Sequence, residues 1–254
     1  MLRAFEDDNT QLKQIDEGLW LIVEKCIGTN IRANAWVVEG EDADLVIDGG
    51  WGVVEWPMEQ LFPERDKPLW FAATHSHCDH INQAYQFSSK RFGHALAQPV
   101  MTAPDALNTN AQPWTPQLSL IAPGYEHLDF DEHDYGNHFK PAPLTDLMGE
   151  GDQIDLGGGV KLDVMETPGH SKDSLTFVDK ARRWIFPGDV LISAYIVDVL
   201  PDSDKIEVLQ SHQRLMNLDF KMSFGGHRDP LDRHASQIVA AKYAARKEKE
   251  GVSL

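Results

Sequence analysis

The chain has 254 residues, 42% hydrophobic and 25% charged, enough to bury a sizeable core without disulfide bracing. Its formal net charge is -17, from 40 acidic against 23 basic residues, which argues against nucleic acid or an anionic membrane surface as a partner. Two cysteines, Cys26 and Cys78, cannot build a disulfide framework. No apolar stretch is long enough to span a membrane, and the acidic start of the chain carries no visible signal peptide. The expected setting is the cytoplasm, and a homodimer is the default assembly.

Leu19 to Val23, Ala35 to Val38 and Leu45 to Asp48 read as strands, the last stopped by Gly49-Gly50. Val53 to Phe62 has helical spacing, with Pro57 as an irregularity. Leu69 to Ala73 is a short buried strand running into Thr74-His75-Ser76-His77-Cys78-Asp79-His80, after which Asp79 to Phe87 is again spaced as a helix. From Ala97 to Met148 the periodicity fades. Pro113-Trp114, Pro123-Gly124-Tyr125 and the acidic run Asp129 to Asp134 mark residues 97–148 as an irregular excursion, expected to be an insertion or a lid over a site. Trp114, Tyr125 and Phe139 are candidates for an apolar pocket wall. His127, His133 and His138 are candidate substrate contacts, with plain surface histidines as the commoner alternative.

Regularity resumes at Gly151. Ile154 to Leu156, Val160 to Met165, Leu175 to Val178 and Trp184 to Phe186 read as strands. Ile206 to Leu218 reads as a helix, Met222 to Phe224 as a short strand, and the Ala-rich, charged segment from His234 to Lys249 as a surface helix. Two strand-rich halves that each carry helices predict one layered α/β domain over residues 1–254.

The chemistry concentrates in His75-x-His77-x-Asp79-His80. Imidazole is a good zinc ligand and carboxylate an acceptable one. In extended backbone, alternate side chains point the same way. His75 and His77 therefore converge on one point. Where the chain turns into a helix, Asp79 and His80 are aimed at a neighbouring one. Three later residues complete the pattern: His170 in Thr167-Pro168-Gly169-His170-Ser171, Asp189 in Pro187-Gly188-Asp189 and His227 in Gly225-Gly226-His227. A lone histidine is more often a packed or surface residue. These three each follow an expected strand beside glycine or proline, where loops carry function on a rigid scaffold. Two close cations would lower the pKa of a shared water and polarise a carbonyl or phosphoryl oxygen.

The order and contexts of these residues resemble the metallo-β-lactamase-fold superfamily, over essentially the whole chain from Ile47-Asp48-Gly49-Gly50 to His227. The resemblance implies a four-layer αβ/βα sandwich with two divalent metal ions at one edge, zinc first and iron or manganese as alternatives. It implies His75, His77 and His170 on the first metal, Asp79, His80 and His227 on the second, and Asp189 between them. Asp48 would support the site from outside. The implied chemistry is hydrolysis of a small carbonyl substrate (a lactone, thioester, ester or amide) by a metal-bridging hydroxide. Asp79 would either orient that hydroxide and pass its proton on, or serve as a ligand only. Tyr195 is a candidate oxyanion donor, or ordinary packing. Cys78, inside the motif at a non-ligand position, is expected to be a small buried side chain.

Within the superfamily the pattern is most similar to glyoxalase II and lactonase-type members. It departs from glyoxalase II in two places. Lys172-Asp173-Ser174 replaces the glycine usual after the His170 motif, and a short tail replaces the long helical domain after His227. Glutathione thioesters are therefore not implied as substrates. Three other classes stay open: a small-molecule phosphodiesterase, an iron-dependent oxidoreductase similar to persulfide dioxygenases, since imidazole suits both metals, and a non-catalytic sensor on the same fold.

Overall fold

Every residue of Leu19-Trp20-Leu21-Ile22-Val23 is apolar and every one is buried, as befits a strand covered on both faces. The computed structural model describes residues 2–63, 66–112, 119–131 and 133–254. Within them, that strand lies in a sheet of eight ordered as in the sequence. The sheet comprises β1 (Phe5–Glu6), β2 (Thr10–Asp16), β3 (Leu19–Glu24), β4 (Ala35–Glu39), β5 (Asp44–Ile47), β6 (Leu69–Ala72), β7 (Arg91–His94) and β8 (Asp146–Met148). Pairing is antiparallel from β1 to β5 and parallel from β5 to β8. A second sheet of six holds β9 (Gln153–Asp155), β10 (Lys161–Glu166), β11 (Leu175–Asp179), β12 (Trp184–Phe186), β13 (Met222–Ser223) and β14 (Leu231–Asp232). Its β12–β13 pair is parallel.

Period-two alternation sorts the side chains between layers. Leu19, Leu21, Trp36 and Ile47 meet Leu162, Val164, Phe177 and Phe186 in the core between the sheets. Trp20, Ile22, Val37 and Val46 turn the other way, toward Trp56, Leu61, Phe87 and Met101. That outer layer includes α1 (Met58–Leu61), α2 (Cys78–Ile81) and α3 (Gln98–Thr102). Beyond the second sheet, Val178 and Ile185 meet Val208, Leu215 and Tyr243 of α4 (Lys205–Met216) and α5 (Arg233–Lys249). Each fully buried aromatic such as Phe177 contributes roughly 1.5–3 kcal/mol by leaving water. Asp204 caps α4 and Asp232 caps α5 by accepting backbone N–H bonds, each worth about 1 kcal/mol. The result is the expected αβ/βα sandwich. No helix of the described residues is long and apolar enough to cross a membrane.

Several elements differ from expectation. The helix expected over Val53 to Phe62 shrinks to α1, because the Gln83 amide donates to the Val54 carbonyl and holds the segment before Pro57 outside a helix. The helix expected over Asp79 to Phe87 stops at Ile81 and resumes as a single tight turn, Ala84–Gln86. Here the Gly49-Gly50 turn intervenes: Gly49 donates its N–H to the His80 carbonyl and accepts from Gln83 N–H. The irregular excursion holds α3 and β8, and Ile121 makes a β-bridge to Ile27. Helix α5 is not merely a surface element, since Tyr243 and Lys247 are buried.

Candidate metal centre

Five strands end at one edge of the sandwich, and each hands on a polar residue. Asp48 follows β5, Thr74 to His80 follow β6, His170 follows β10, Asp189 follows β12 and His227 follows β13. The seven side chains expected as ligands converge there. The donor atoms of His75, His77 and His170 lie within 4.8 Å of one another, as do those of His75, His80 and Asp189, and those of Asp79, His80 and His227.

The hydrogen bonds on the far side of each ring show which nitrogen faces the cluster. Thr74 Oγ1 donates its proton to Asp48 Oδ2 at 2.9 Å, so toward His75 Nδ1, at 3.0 Å, it can only accept. His80 Nδ1 lies 2.9 Å from Asp48 Oδ2, His170 Nδ1 lies 2.8 Å from the Val197 carbonyl, and His227 Nδ1 lies 2.9 Å from the Arg32 carbonyl. Four rings thus carry Nδ1–H outward and turn Nε2 inward. His77 is reversed. Its Nδ1 lies 3.0 Å from His170 Nε2, while its Nε2 points to Asp202 Oδ2 at 3.2 Å. Asn110 Nδ2 donates to Asp202 Oδ1 at 2.7 Å and lies 3.0 Å from the same His77 nitrogen.

Three buried atoms at the middle, His75 Nε2, His80 Nε2 and Asp189 Oδ1, have no hydrogen-bond partner among the described residues. Each such orphan costs about 1–3 kcal/mol. Inward imidazole nitrogens beside carboxylate oxygens are the donor set that a divalent ion such as zinc satisfies.

The electrostatics agree with that fit. Burial, then the neighbouring rings of His80, His77 and His170, push His75 well below the usual histidine range. Burial and His77 lower His170 to about 4. Burial also opposes charge on His227, but Asp189 and Asp79 outweigh it and raise that group to about 10. The same opposition acts at Asp189, where His227 and His80 overcome burial and hold the carboxyl well below the ordinary range. The centre therefore favours ionised carboxylates and positive charge between them. Gly226 makes room for this: a Cβ there would sit 2.3 Å from Asp189 Oδ1 and 2.7 Å from His80 Cε1.

A cavity of about 400 Å³ opens onto the centre, where His77, Asp79, His170, Asp189 and His227 line it. Its apolar wall comes mainly from one segment: Ile192, Ala194, Tyr195, Val197, Val199 and Leu200. Ile31 and Trp51 add to it, and Asn30, Asn110 and Arg228 supply polar atoms. The wall is fastened from behind by buried Asp198, which accepts from Tyr243 Oη at 2.8 Å and pairs with Lys247 Nζ at 2.5 Å, both on α5.

Tyr195 lines the cavity, is 61% exposed, and carries the Arg246 guanidinium over its ring at 3.9 Å. Tyr125 and Phe139 do not line the cavity. They pack instead around Trp51 and Tyr135, because the Tyr135 hydroxyl donates to the Trp51 carbonyl and draws the excursion in. Trp114 lies outside the described residues. His127, His133 and His138 are exposed and none lines the cavity; His138 pairs with Asp134 at 2.9 Å. Cys78 is buried beside the centre, and burial pushes its thiol up. Sequence reasoning missed Asn110, Asp202, Asn34 and Arg228. Only Arg228 carried any signal, as the neighbour of His227.

Comparison with known proteins adds three findings. Residues 28–227 match the model of the metallo-beta-lactamase superfamily. The acyl-coenzyme A thioesterase MBLAC2 of Homo sapiens is 30% identical over 220 residues, 81% of this chain and 75% of that one, and the Gallus gallus protein of the same name is 32% identical over 81% and 74%. The probable metallo-hydrolase YqgX of Bacillus subtilis (strain 168) is 27% identical over 80% of this chain and 88% of its own. Among solved structures, the BLEG-1 B3 metallo-beta-lactamase superposes with a TM-score of 0.62 at 22% identity, over 81% of this chain and 91% of that one. The family protein TTHA1429 from Thermus thermophilus gives 0.67 at 19%, over 93% and 82%.

Proposed function

Because this chain belongs to the metallo-β-lactamase superfamily, we propose that its metal-dependent hydrolysis acts on a carboxylic thioester, or a close ester analogue, with an apolar acyl group. Two metal ions, zinc first, would be held by His75, His77 and His170 and by Asp79, His80 and His227, with Asp189 shared. The observation that carries this reading is the apolar wall of residues 192–200 set directly against the ligand cluster. The relatives named as acyl-coenzyme A thioesterases support it.

The bound metals would supply an activated water at neutral pH and a Lewis acid for the carbonyl. The protein's own residues do the rest. Val197 and Leu200 exclude bulk water from the acyl group and fix its direction. Asp79, whose Oδ2 lies 3.2 Å from His227 Nε2, takes up a proton at its carboxylate as water adds to the carbonyl carbon. It returns that proton to the departing sulfur when the C–S bond breaks. Tyr195 carries the one phenol among the cavity-lining residues, and its hydroxyl is the candidate donor to the developing oxyanion.

The test is a substrate panel on protein of measured metal content. About two zinc ions per chain are expected, with hexanoyl thioesters cleaved faster than acetyl ones and faster than lactones, β-lactams or phosphodiesters. Cleavage of phosphodiesters alone, or about one iron per chain with oxygen consumption, overturns the reading.

A further inference from the structure

Arg228 is the one arginine or lysine among the residues lining the cavity, in a chain of 40 acidic and 23 basic residues. Its φ is 66°, a left-handed backbone that is strained for a non-glycine residue. Asn34 holds the turn in that state. Its buried amide donates to the carbonyls of Gly225 at 3.0 Å and Arg228 at 2.8 Å. The guanidinium donates from Nη1 to Asn30 Oδ1 at 3.0 Å and has no carboxylate partner among the described residues. Its other N–H donors remain available.

An arginine that only solvates a surface needs neither a strained backbone nor a buried amide to set it. The fork of N–H groups matches carboxylate and phosphate oxygens, which it can bind in pairs. The overall charge of -17 repels an anion, so a local cation matters more here than on a neutral protein. We propose that Arg228, steadied by Asn30, binds an anionic group of the substrate, a carboxylate or a phosphate, while the reacting carbonyl sits at the metal centre. This rests on the thioester reading above.

Uncleavable thioethers test it by calorimetry on the metal-loaded protein. S-hexyl-coenzyme A carries phosphates, S-hexyl-3-mercaptopropionate a carboxylate, and S-hexyl-N-acetylcysteamine no charge. One of the two anionic ligands is expected to bind about tenfold tighter than the neutral one, and which one identifies the group. Arg228→Gln removes that gap and leaves the neutral ligand's affinity in place, while Arg228→Lys keeps part of it. Equal binding of all three by the wild-type protein, or a gap that survives in Arg228→Gln, overturns the proposal. Turnover of the matching hexanoyl thioesters is measured alongside. No cleavage with the gap intact removes the thioester chemistry and keeps the anion site.

Discussion

Asp202 Oδ2 lies 3.2 Å from His77 Nε2, on the side of the ring turned away from the ligand cluster. With Nδ1 directed at the cluster, Nε2 carries the proton and donates it to this carboxylate, which fixes both tautomer and ring angle. Asp202→Ala is expected to weaken one of two metal-binding steps by about 10–100-fold, read by zinc titration against a chromophoric chelator. Asn110→Ala has a smaller effect, since it acts through Asp202. An unchanged affinity in Asp202→Ala means that the ring is oriented without it.

Removal of a proposed ligand differs from removal of its support. His77→Ala is expected to lower metal content from about two ions per chain to about one and to abolish hydrolysis. His133→Ala, at an exposed position off the cavity, leaves both unchanged. Elemental analysis of the two purified variants decides it. Full activity in His77→Ala would sink the proposed mechanism.

Stability depends on pH through two buried groups outside the metal centre. Burial raises Glu24 from 4.5 to about 7, although the N–H groups of Gly52 and Trp51 oppose it. Between these values the folded protein binds the extra proton, so stability is full below 4.5 and falls as pH rises toward 7, by about 3 kcal/mol. Burial lowers His212 from 6.5 to about 4. The folded form then binds fewer protons, and stability is lost as pH falls through that window. Urea unfolding at pH 5 and pH 8 is expected to show a reduced alkaline loss in Glu24→Gln. An unaltered difference between the two pH values would show that Glu24 is ionised throughout.

Two glycines separate a local clash from a global one. In Gly226→Ala the new methyl meets Asp189 Oδ1 and the buried His80 ring, so metal binding is expected to fail and the metal-free protein to lose about 1–3 kcal/mol. At Gly169, with φ 132°, a Cβ would lie 2.3 Å from the backbone nitrogen of Val208. Gly169→Ala therefore pries α4 from the loop and is expected to cost about 3 kcal/mol. Thermal melts with and without chelator distinguish the two.

The pocket wall has its own anchor. Lys247→Met leaves buried Asp198 with Tyr243 Oη and the more distant Arg246 as its partners, a loss expected to cost up to about 3 kcal/mol, the low end for a broken buried pair. The expected signature is a raised KM for hexanoyl thioesters with metal affinity unchanged. A variant as stable as the parent shows that Tyr243 and Arg246 suffice.

The convergence of the seven side chains was legible because His75 to His80 is contiguous and the later three sit beside glycine or proline at strand ends, features that sequence displays directly. The antiparallel and parallel cores were legible as apolar runs such as Leu19 to Val23. Strand β2 was not, since Thr10 and Leu12 alone face inward and five residues carry no pattern. The supporting groups were hidden for another reason. Asp202 stands 125 positions from His77, and Asn34 stands 191 from Gly225. Nothing local marks such partners, and the fold alone brings them together. Tyr195, a candidate oxyanion donor from its place after Asp189, lines the cavity, while Tyr125 and Phe139 were drawn away by the hydroxyl of Tyr135.

The outward nitrogens of the five imidazoles end on Thr74, Asp48, the Val197 carbonyl, the Arg32 carbonyl and Asp202. Those anchors belong to three separate stretches of chain besides the histidine motif itself. The rings therefore act as spokes, and whatever occupies the hub sets the tension on the rim. Stripping bound metal would slacken the turn after β5, the loop before β4 and the apolar cavity wall in one event, so a chelator would reach surfaces that the metal itself does not touch.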